Sequence, residues 1–333
     1  MMDESLFTAP DGRRWVDMPP IKVLPAVNSR KAHLLNIGYA RIQAHLFDVL
    51  EAAGGIEFID ETSFGWDYQL WFGWPRTRTV GRDGSDVILH TMFESEGEPE
   101  GWVRVMNRMR LIWTPSQWCK GLFERWGVTT PIMVSGYGVD PLEFPYVKRD
   151  WDAPFTFTVI GHDLHGRKGT LQTLCCFAEL QHGGKLRGAR MMVKTQKGPF
   201  TEMTFPPDVN IEFVGKTLTQ DEYAAFMSRG HLLVYPQRGE GFGLIPLEFM
   251  ATGGAAAVTR YSGVMEYLDD DVTFPLPSGI GPDDLKDWLI WAYDNRDRVR
   301  EIAERGAQRV QQQWTWQLAG LRARRCLHEQ LGR

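Results

Sequence analysis

The sequence predicts an α/β protein of two units, each a parallel sheet with helices on its faces. Three observations carry this. Apolar runs of strand length alternate with amphipathic helical stretches, the pattern of sheets built from β-α-β connections. A stretch rich in proline and charge, residues 141–153, separates one such series from a second. The length, 333 residues, suits two domains of roughly 150 residues, each large enough to bury its own core.

The first series opens with Ile21 to Val27, a short apolar run read as a buried strand. Gly38 and Tyr39 then precede a stretch in which Ala40, Ala44, Phe47, Val49 and Leu50 form a helical stripe closed by Gly54-Gly55. Residues 56–60 and 86–93 read as strands. Residues 114–127 read as a helix, with Thr114 and Ser116 as caps and Gly127 as its stop. Residues 131–140 read as a strand running into a loop. In the second series, strands are expected at 155–161, 190–195, 210–214, 231–236 and 255–259. Helices are expected after the loop at 161–169, over Asp221 to Arg229, after the loop at 237–243, and through the tail from Gly281. The predicted domains are 1–148, 149–312, and a helical tail at 313–333 that packs back on the first. Together these give two Rossmann-like domains facing each other across a cleft.

Composition sets the class. The chain is 43% hydrophobic and 24% charged, with a net charge of −5, so no global positive field favours polyanions. Local basic clusters, at Arg76, Arg78 and Arg82 and at Arg104, Arg108 and Arg110, read as solvated faces. The four cysteines, Cys119, Cys175, Cys176 and Cys326, form no C-x-x-C pair and no zinc spacing. They read as free thiols in a reducing compartment. The first fifteen residues carry early acids and no apolar stretch, unlike a secretory signal. No run approaches the ~18 apolar residues of a membrane helix. A cytoplasmic protein is expected.

Chemistry concentrates in residues 231–254. An apolar strand feeds a glycine-bearing loop and then a helix with Pro246 in its first turn. Gly241 and Gly243 let the backbone approach a ligand closely. The helix start offers free N–H groups and a positive dipole end to an anion, and a diphosphate is the natural guest there. Glu240 and Glu248 frame the loop, one toward a sugar and one toward a ribose. On the spacing alone they read equally as two surface acids near a helix N-terminus. The aspartates Asp269, Asp270 and Asp271 read as a solvated turn rather than a metal site.

The stretch GEGFGLIPLEFMATGG, residues 239–254, resembles the signature E-G-F-G-L-x-x-L-E-A-M-A-x-G of retaining GT-B glycosyltransferases of family 4. Phe249 stands where the family has a small alanine, and Ala255-Ala256 where Pro-Val is common. The resemblance continues through residues 93–128, SGYGVDPLEF at 135–144, the strand-loop-helix at 161–180 and RYSGVMEYL at 260–268. It implies the GT-B fold and a sugar transferred from a nucleotide diphosphate sugar, a UDP- or GDP-sugar, to a hydroxyl acceptor such as a glycan or lipid.

The resemblance also implies roles. Glu240 would meet the donor sugar and Glu248 the ribose. The backbone of Gly241, Phe242, Gly243 and Leu244 would hold sugar and distal phosphate. Lys168, with Arg167 beside it, would pair with the diphosphate and offset charge on the leaving group. His162 stands where many members carry arginine. Lys194 resembles a family lysine near the donor. Retention at the anomeric carbon, front-face attack and no metal or other cofactor are implied, with the nucleotide sugar as co-substrate. Gly38, Tyr39, His90 and Glu94 are the expected acceptor contacts in the first domain. Trp66, Trp71 and Trp74 stack on a sugar or base, or belong to the core. Two other readings stand beside this one: transfer to a modified base in DNA, as in some viral enzymes, and a nucleotide-sugar-binding module without turnover. The missing G-x-G-x-x-G after the first strand disfavours a dinucleotide-dependent oxidoreductase. Neither the acceptor nor the oligomeric state is legible.

Overall fold

The structure is a computed structural model that describes residues 6, 8, 13–14, 20–25, 38–54, 56–58, 67–75, 86–161, 166–195 and 203–331; of residues 24, 25 and 38–40 it describes the backbone alone. The expectations for Trp66, Arg76, Arg78, Arg82 and His162 therefore concern residues outside the described set.

Apolar runs bounded by turn residues form the elements of the first unit. They are β1 (Ile21–Pro25), α1 (Gly38–Ala53), β2 (Ile56–Phe58), β3 (Tyr68–Phe72), β4 (Val87–His90), α2 (Trp102–Met106), β5 (Leu111–Thr114), α3 (Gln117–Trp126) and β6 (Ile132–Val134). The second unit follows with β7 (Thr156–Ile160), α4 (Thr170–His182), β8 (Arg190–Lys194), β9 (Ile211–Val214), α5 (Gln220–Ser228), β10 (Leu232–Tyr235), α6 (Leu244–Ala251), β11 (Ala255–Thr259), β12 (Phe274–Leu276), α7 (Pro282–Asp294) and α8 (Arg296–Gln313). The last helix is α9 (Trp316–Leu331). The compact units are residues 1–138 with 315–333, and residues 139–314.

Each unit carries a six-stranded sheet in which every described pair is parallel, as expected for alternating strands and helices. The first runs β2-β1-β3-β4-β5-β6, so the order reverses between β1 and β3. The second, read from its other edge, runs β9-β8-β7-β10-β11-β12, the doubly wound order that reverses between β7 and β10. Central strands of such sheets are covered on both faces and so are apolar throughout. Every residue of β4, β5, β7, β10 and β11 is buried.

The structure adds elements that the sequence reading passes over, namely β3, α2, β5 and β12. It also corrects one cap. Thr114 is the last residue of β5, and Ser116 alone caps α3, its Oγ accepting from the Cys119 N–H at 3.1 Å. Gly127, at φ 100°, ends that helix as expected.

The last helix completes the first unit. A Cβ on Gly320 would stand 2.7 Å from Val49 Cγ2, so the missing side chain is what lets α9 lie against α1. Arg324, 1% exposed, donates to the carbonyls of Ala53 and Leu6. In the second unit, Phe249 on α6 is wholly buried, and glycines make room for its ring. Added Cβ atoms on Gly230 and Gly254 would come within 2.8 and 2.1 Å of it.

The proline- and charge-rich stretch at 141–153 is fastened to the second unit by Arg149, 6% exposed. Its Nε donates to Gly230 O (2.7 Å), Nη1 to Val147 O and Thr252 O (2.8 and 2.7 Å), and Nη2 to Met227 O and Thr252 Oγ1 (3.2 and 2.9 Å). All five donors of the guanidinium are used. Several of their acceptors lie at the carboxyl-terminal ends of α5 and α6, where unpaired carbonyls and the dipole favour a cation. Burial lowers the Arg149 pKa to about 10, which leaves the group charged at neutral pH. Arg149→Met should strip these acceptors and lower stability by about 3 kcal/mol. Arg149→Lys should recover less than half, because an ammonium cannot span the fork. Urea unfolding at pH 7 checks both; an unchanged midpoint in Arg149→Met would refute the clamp.

Candidate functional site

Ligands of doubly wound sheets bind beyond the carboxyl ends of the strands at the point where strand order reverses. In the second unit that point lies between β7 and β10. The loop after β7 carries Arg167 and Lys168, and the loop after β10 carries Glu240. The structure brings these three together.

Glycines hold the two loops close. Gly169, at φ 69°, lies so near Pro236 that a Cβ would meet its Cγ at 2.5 Å and its carbonyl oxygen at 2.8 Å. The Arg238 N–H donates to Arg167 O at 2.8 Å, and Arg167 Nη1 donates to Gly239 O at 2.5 Å. Glu240 is 5% exposed, so its carboxylate must be compensated. Lys168 Nζ makes a short ion pair with Oε1. Arg167 Nη1 stands 3.3 Å from the same oxygen, and the Tyr235 hydroxyl donates to it at 2.8 Å. Lys168 Nζ also donates to the Tyr235 hydroxyl at 2.8 Å. Burial, and then the charge of Glu240, hold the Tyr235 phenol well above its ordinary pKa, so it stays protonated.

A second layer fixes the backbone of Glu240. Its N–H donates to Ser262 Oγ at 3.0 Å, and its carbonyl accepts from the Gly263 N–H at 2.9 Å. Ser262 Oγ donates to Gln237 Oε1 at 3.3 Å, and Gln237 Nε2 donates to Tyr261 O at 2.8 Å. Among the described residues Ser262 is the only non-glycine at positive φ, 72°. Strain of that kind is kept where surrounding bonds over-determine the backbone. A Cβ on Gly263 would stand 2.1 Å from Gly241 O, so the segment from Ser262 to Glu266, a turn of 3-10 helix, lies directly on the loop.

The loop ends at Gly243, φ 85°, which caps α6. Its carbonyl accepts from the Tyr267 hydroxyl at 2.6 Å. Burial holds the Tyr267 phenol above its ordinary pKa, with the charges of Glu240 and Glu248 adding to it. Phe242 is 1% exposed, with ring centroids of Tyr267 and Trp314 at 5.6 and 6.0 Å. Glu248 falls in the second turn of α6 and is buried. Lys194 ends β8, beside β7, and its ammonium donates to Thr195 O at 2.9 Å rather than to Glu240. Partial burial lowers its pKa.

Sequence reasoning missed Tyr235, Gln237, Ser262 and Tyr267. The one available signal was a tyrosine closing an otherwise aliphatic buried strand, which puts a polar tip at the ligand end of the sheet. Asp269 to Asp271 form a turn tied by ion pairs, Asp269 to Arg309 at 3.0 Å and Asp270 to Arg260. Among the described residues no group of three or more His, Cys, Asp or Glu side chains is placed to hold a metal ion. No helix among them is long and apolar enough to cross a membrane.

In the first unit, Gly38 and Tyr39 open α1 and Glu94 lies in the bend after β4. His90 ends β4 wholly buried. Its ring stacks on Phe72 (centroids 4.6 Å), and Nε2 lies 3.2 Å from the Tyr137 hydroxyl. Trp71 packs on the core of this unit, whereas Trp74 is 57% exposed just beyond β3.

Residues 207–309 match the family model described as Glycosyl transferases group 1. A Methanocaldococcus jannaschii protein named an uncharacterized glycosyltransferase is 29% identical over 120 residues, 36% of this chain and 34% of its own length. The chain thus matches about a third of that curated relative. Among solved structures, sucrose-phosphate synthase from Thermosynechococcus elongatus superposes with a TM-score of 0.70 at 14% identity, covering 95% of this chain and 99% of the other. Anabaena HepE, solved in complex with UDP and glucose, gives 0.67 at 14% identity, covering 94% and 99%. At such identities the likeness carries the fold, which is GT-B.

Burial lowers the His90 pKa from 6.5 to about 3, so the folded protein keeps the imidazole neutral where the unfolded chain would protonate it. The folded value lies below the unfolded one. The resulting stability is therefore complete above pH 6.5 and is lost as pH falls toward 3. The loss is at most about 1.4 kcal/mol per pH unit. Between pH 7 and pH 5 the wild type should lose about 2 kcal/mol more than His90→Phe. Urea midpoints at the two pH values test this, and equal losses in both proteins would contradict it.

Proposed function

We propose that this chain, a GT-B fold protein related to the group 1 glycosyl transferases, moves a sugar from a nucleotide diphosphate donor to a hydroxyl acceptor. The donor class is a UDP- or GDP-sugar, and the acceptor class a glycan or lipid. The observation that carries this reading is the convergence of Lys168 and Arg167 on Glu240 at the strand-order reversal, just before the amino end of α6.

On this reading the diphosphate draws Lys168 and Arg167 away from Glu240 and lies against the N–H groups of Gly241, Phe242, Gly243 and Leu244. Lys194 lines the phosphate side. Glu240 then accepts from hydroxyls of the sugar, and Glu248 from the ribose. The bond from the anomeric carbon to the phosphate oxygen breaks as the acceptor oxygen bonds to the same face, with retention. The departing phosphate oxygen takes the acceptor proton, and a nucleoside diphosphate leaves. The two cations offset charge growing on that group, so positioning and electrostatics supply the catalysis and no metal ion is called for.

The first unit would take the acceptor near the reversal between β1 and β3. Gly38, Tyr39 and Glu94 would be its contacts, with His90 supporting them from the core and the exposed Trp74 available for ring stacking. A net charge of −5 favours a neutral acceptor over DNA.

Thermal protection by UDP, GDP and ADP identifies the base, because a ligand of the native state raises the unfolding temperature with its concentration. Glu240→Ala should abolish sugar transfer, read as release of the nucleoside diphosphate from its sugar, while nucleotide protection persists. Lys168→Ala should weaken nucleoside diphosphate binding roughly 10- to 100-fold, the value of a charge-assisted contact. Full turnover in Glu240→Ala, or no protection of the wild type by any of the three nucleotides at millimolar concentration, would sink the reading.

A further inference from the structure

Lys168 Nζ, the Tyr235 hydroxyl and Glu240 Oε1 form a closed triangle in which each group bonds the other two. The reading above, on which this inference rests, requires Lys168 to leave that triangle for the diphosphate. The vertices differ in how freely they can move. Lys168 sits on a loop and carries four rotatable side-chain bonds. Tyr235 is the last residue of a central strand, 1% exposed, with two side-chain torsions, and is in register with Val258 of β11. Among the described residues, Lys168, Arg167 and Tyr235 all bond the Glu240 carboxylate at Oε1 rather than Oε2.

We infer that the Tyr235 hydroxyl is a positioning residue for the transfer: it keeps hold of Glu240 Oε1 when Lys168 departs for the diphosphate, so that Oε2 stays aimed at the donor sugar. Without it, donor binding, which draws both cations to the diphosphate, would leave none of the three donors to orient the carboxylate. The backbone anchors at Ser262 and Gly263 fix the Glu240 main chain but not the turn of its side chain. The strand's rigidity thus passes to the carboxylate through one O–H···O bond. The phenol stays protonated across the working pH range, so it remains a donor.

The test is Tyr235→Phe, which keeps the ring and deletes the bond. It uses the full chain and whichever of UDP-glucose, GDP-mannose or ADP-glucose the wild type turns over. The expected result is a kcat at least about tenfold lower, in line with misplacement of a reacting group. The dissociation constant for the matching nucleoside diphosphate, by calorimetry, should stay within about threefold. A merely structural role for the hydroxyl would weaken nucleotide binding along with turnover, and that result would overturn the inference. So would an unchanged kcat. Retained nucleotide binding also certifies that the variant is folded. If the wild type itself neither binds a nucleoside diphosphate nor turns over a sugar donor, the parent reading fails and takes this inference with it. Wild-type turnover with an indifferent Tyr235→Phe removes the inference alone.

Discussion

A buried carboxylate with two cations drawn onto it governs the second unit. Glu240 has almost no access to water, and an uncompensated charge there would cost several kcal/mol. Lys168 and Arg167 can supply the compensation only if the loops after β7 and β10 run nearly in contact. That contact demands glycine at 169, opposite Pro236, and at 263, over Gly241. The positive φ at Ser262 follows from the same demand, since its Oγ must reach the Glu240 N–H. The loop geometry therefore serves the ion pair, and on the proposed function the cations that satisfy Glu240 are the groups a diphosphate would claim.

Much of this was legible in the residue pattern. Aliphatic runs such as 231–235, followed by a glycine-bearing loop and a helical stretch, have one economical solution in a parallel sheet. The family resemblance marks Glu240, Lys168 and Arg167, and the structure sets the three side by side. The illegible parts share a physical character. β3 mixes glutamine and aromatics because only one of its five residues is fully buried, so it lacks an apolar signal. β5 ends in Thr114, whose cap-like chemistry a few residues before a helix is indistinguishable from a true N-cap until the backbone is seen. Tyr235 is apolar by company and polar only at its tip. Ser262 is marked by a dihedral angle, which composition does not reveal. Phe249 departs from the signature in bulk, and the compensation lies at Gly230 and Gly254, far off in sequence or beyond the motif's end.

The helix that follows the candidate site is held at both ends by different chemistry. At its amino end Gly243 and the Tyr267 hydroxyl set the turn. At its carboxyl end Arg149 gathers Thr252 together with the end of α5. Between them the helix is apolar apart from Glu248, and buried from Pro246 onward. Its position is thus set from both ends.

The first unit is discontinuous in the chain: α9 closes against α1 only after the whole second unit intervenes. On the ribosome, which delivers residues in order, the second unit can therefore reach its native topology while the first still lacks the helix that covers one flank of its sheet. Nascent chains would expose the α1 face until α9 has emerged. The unit begun before the other is thus completed after it, and its need for protection against aggregation persists through the synthesis of the whole second unit.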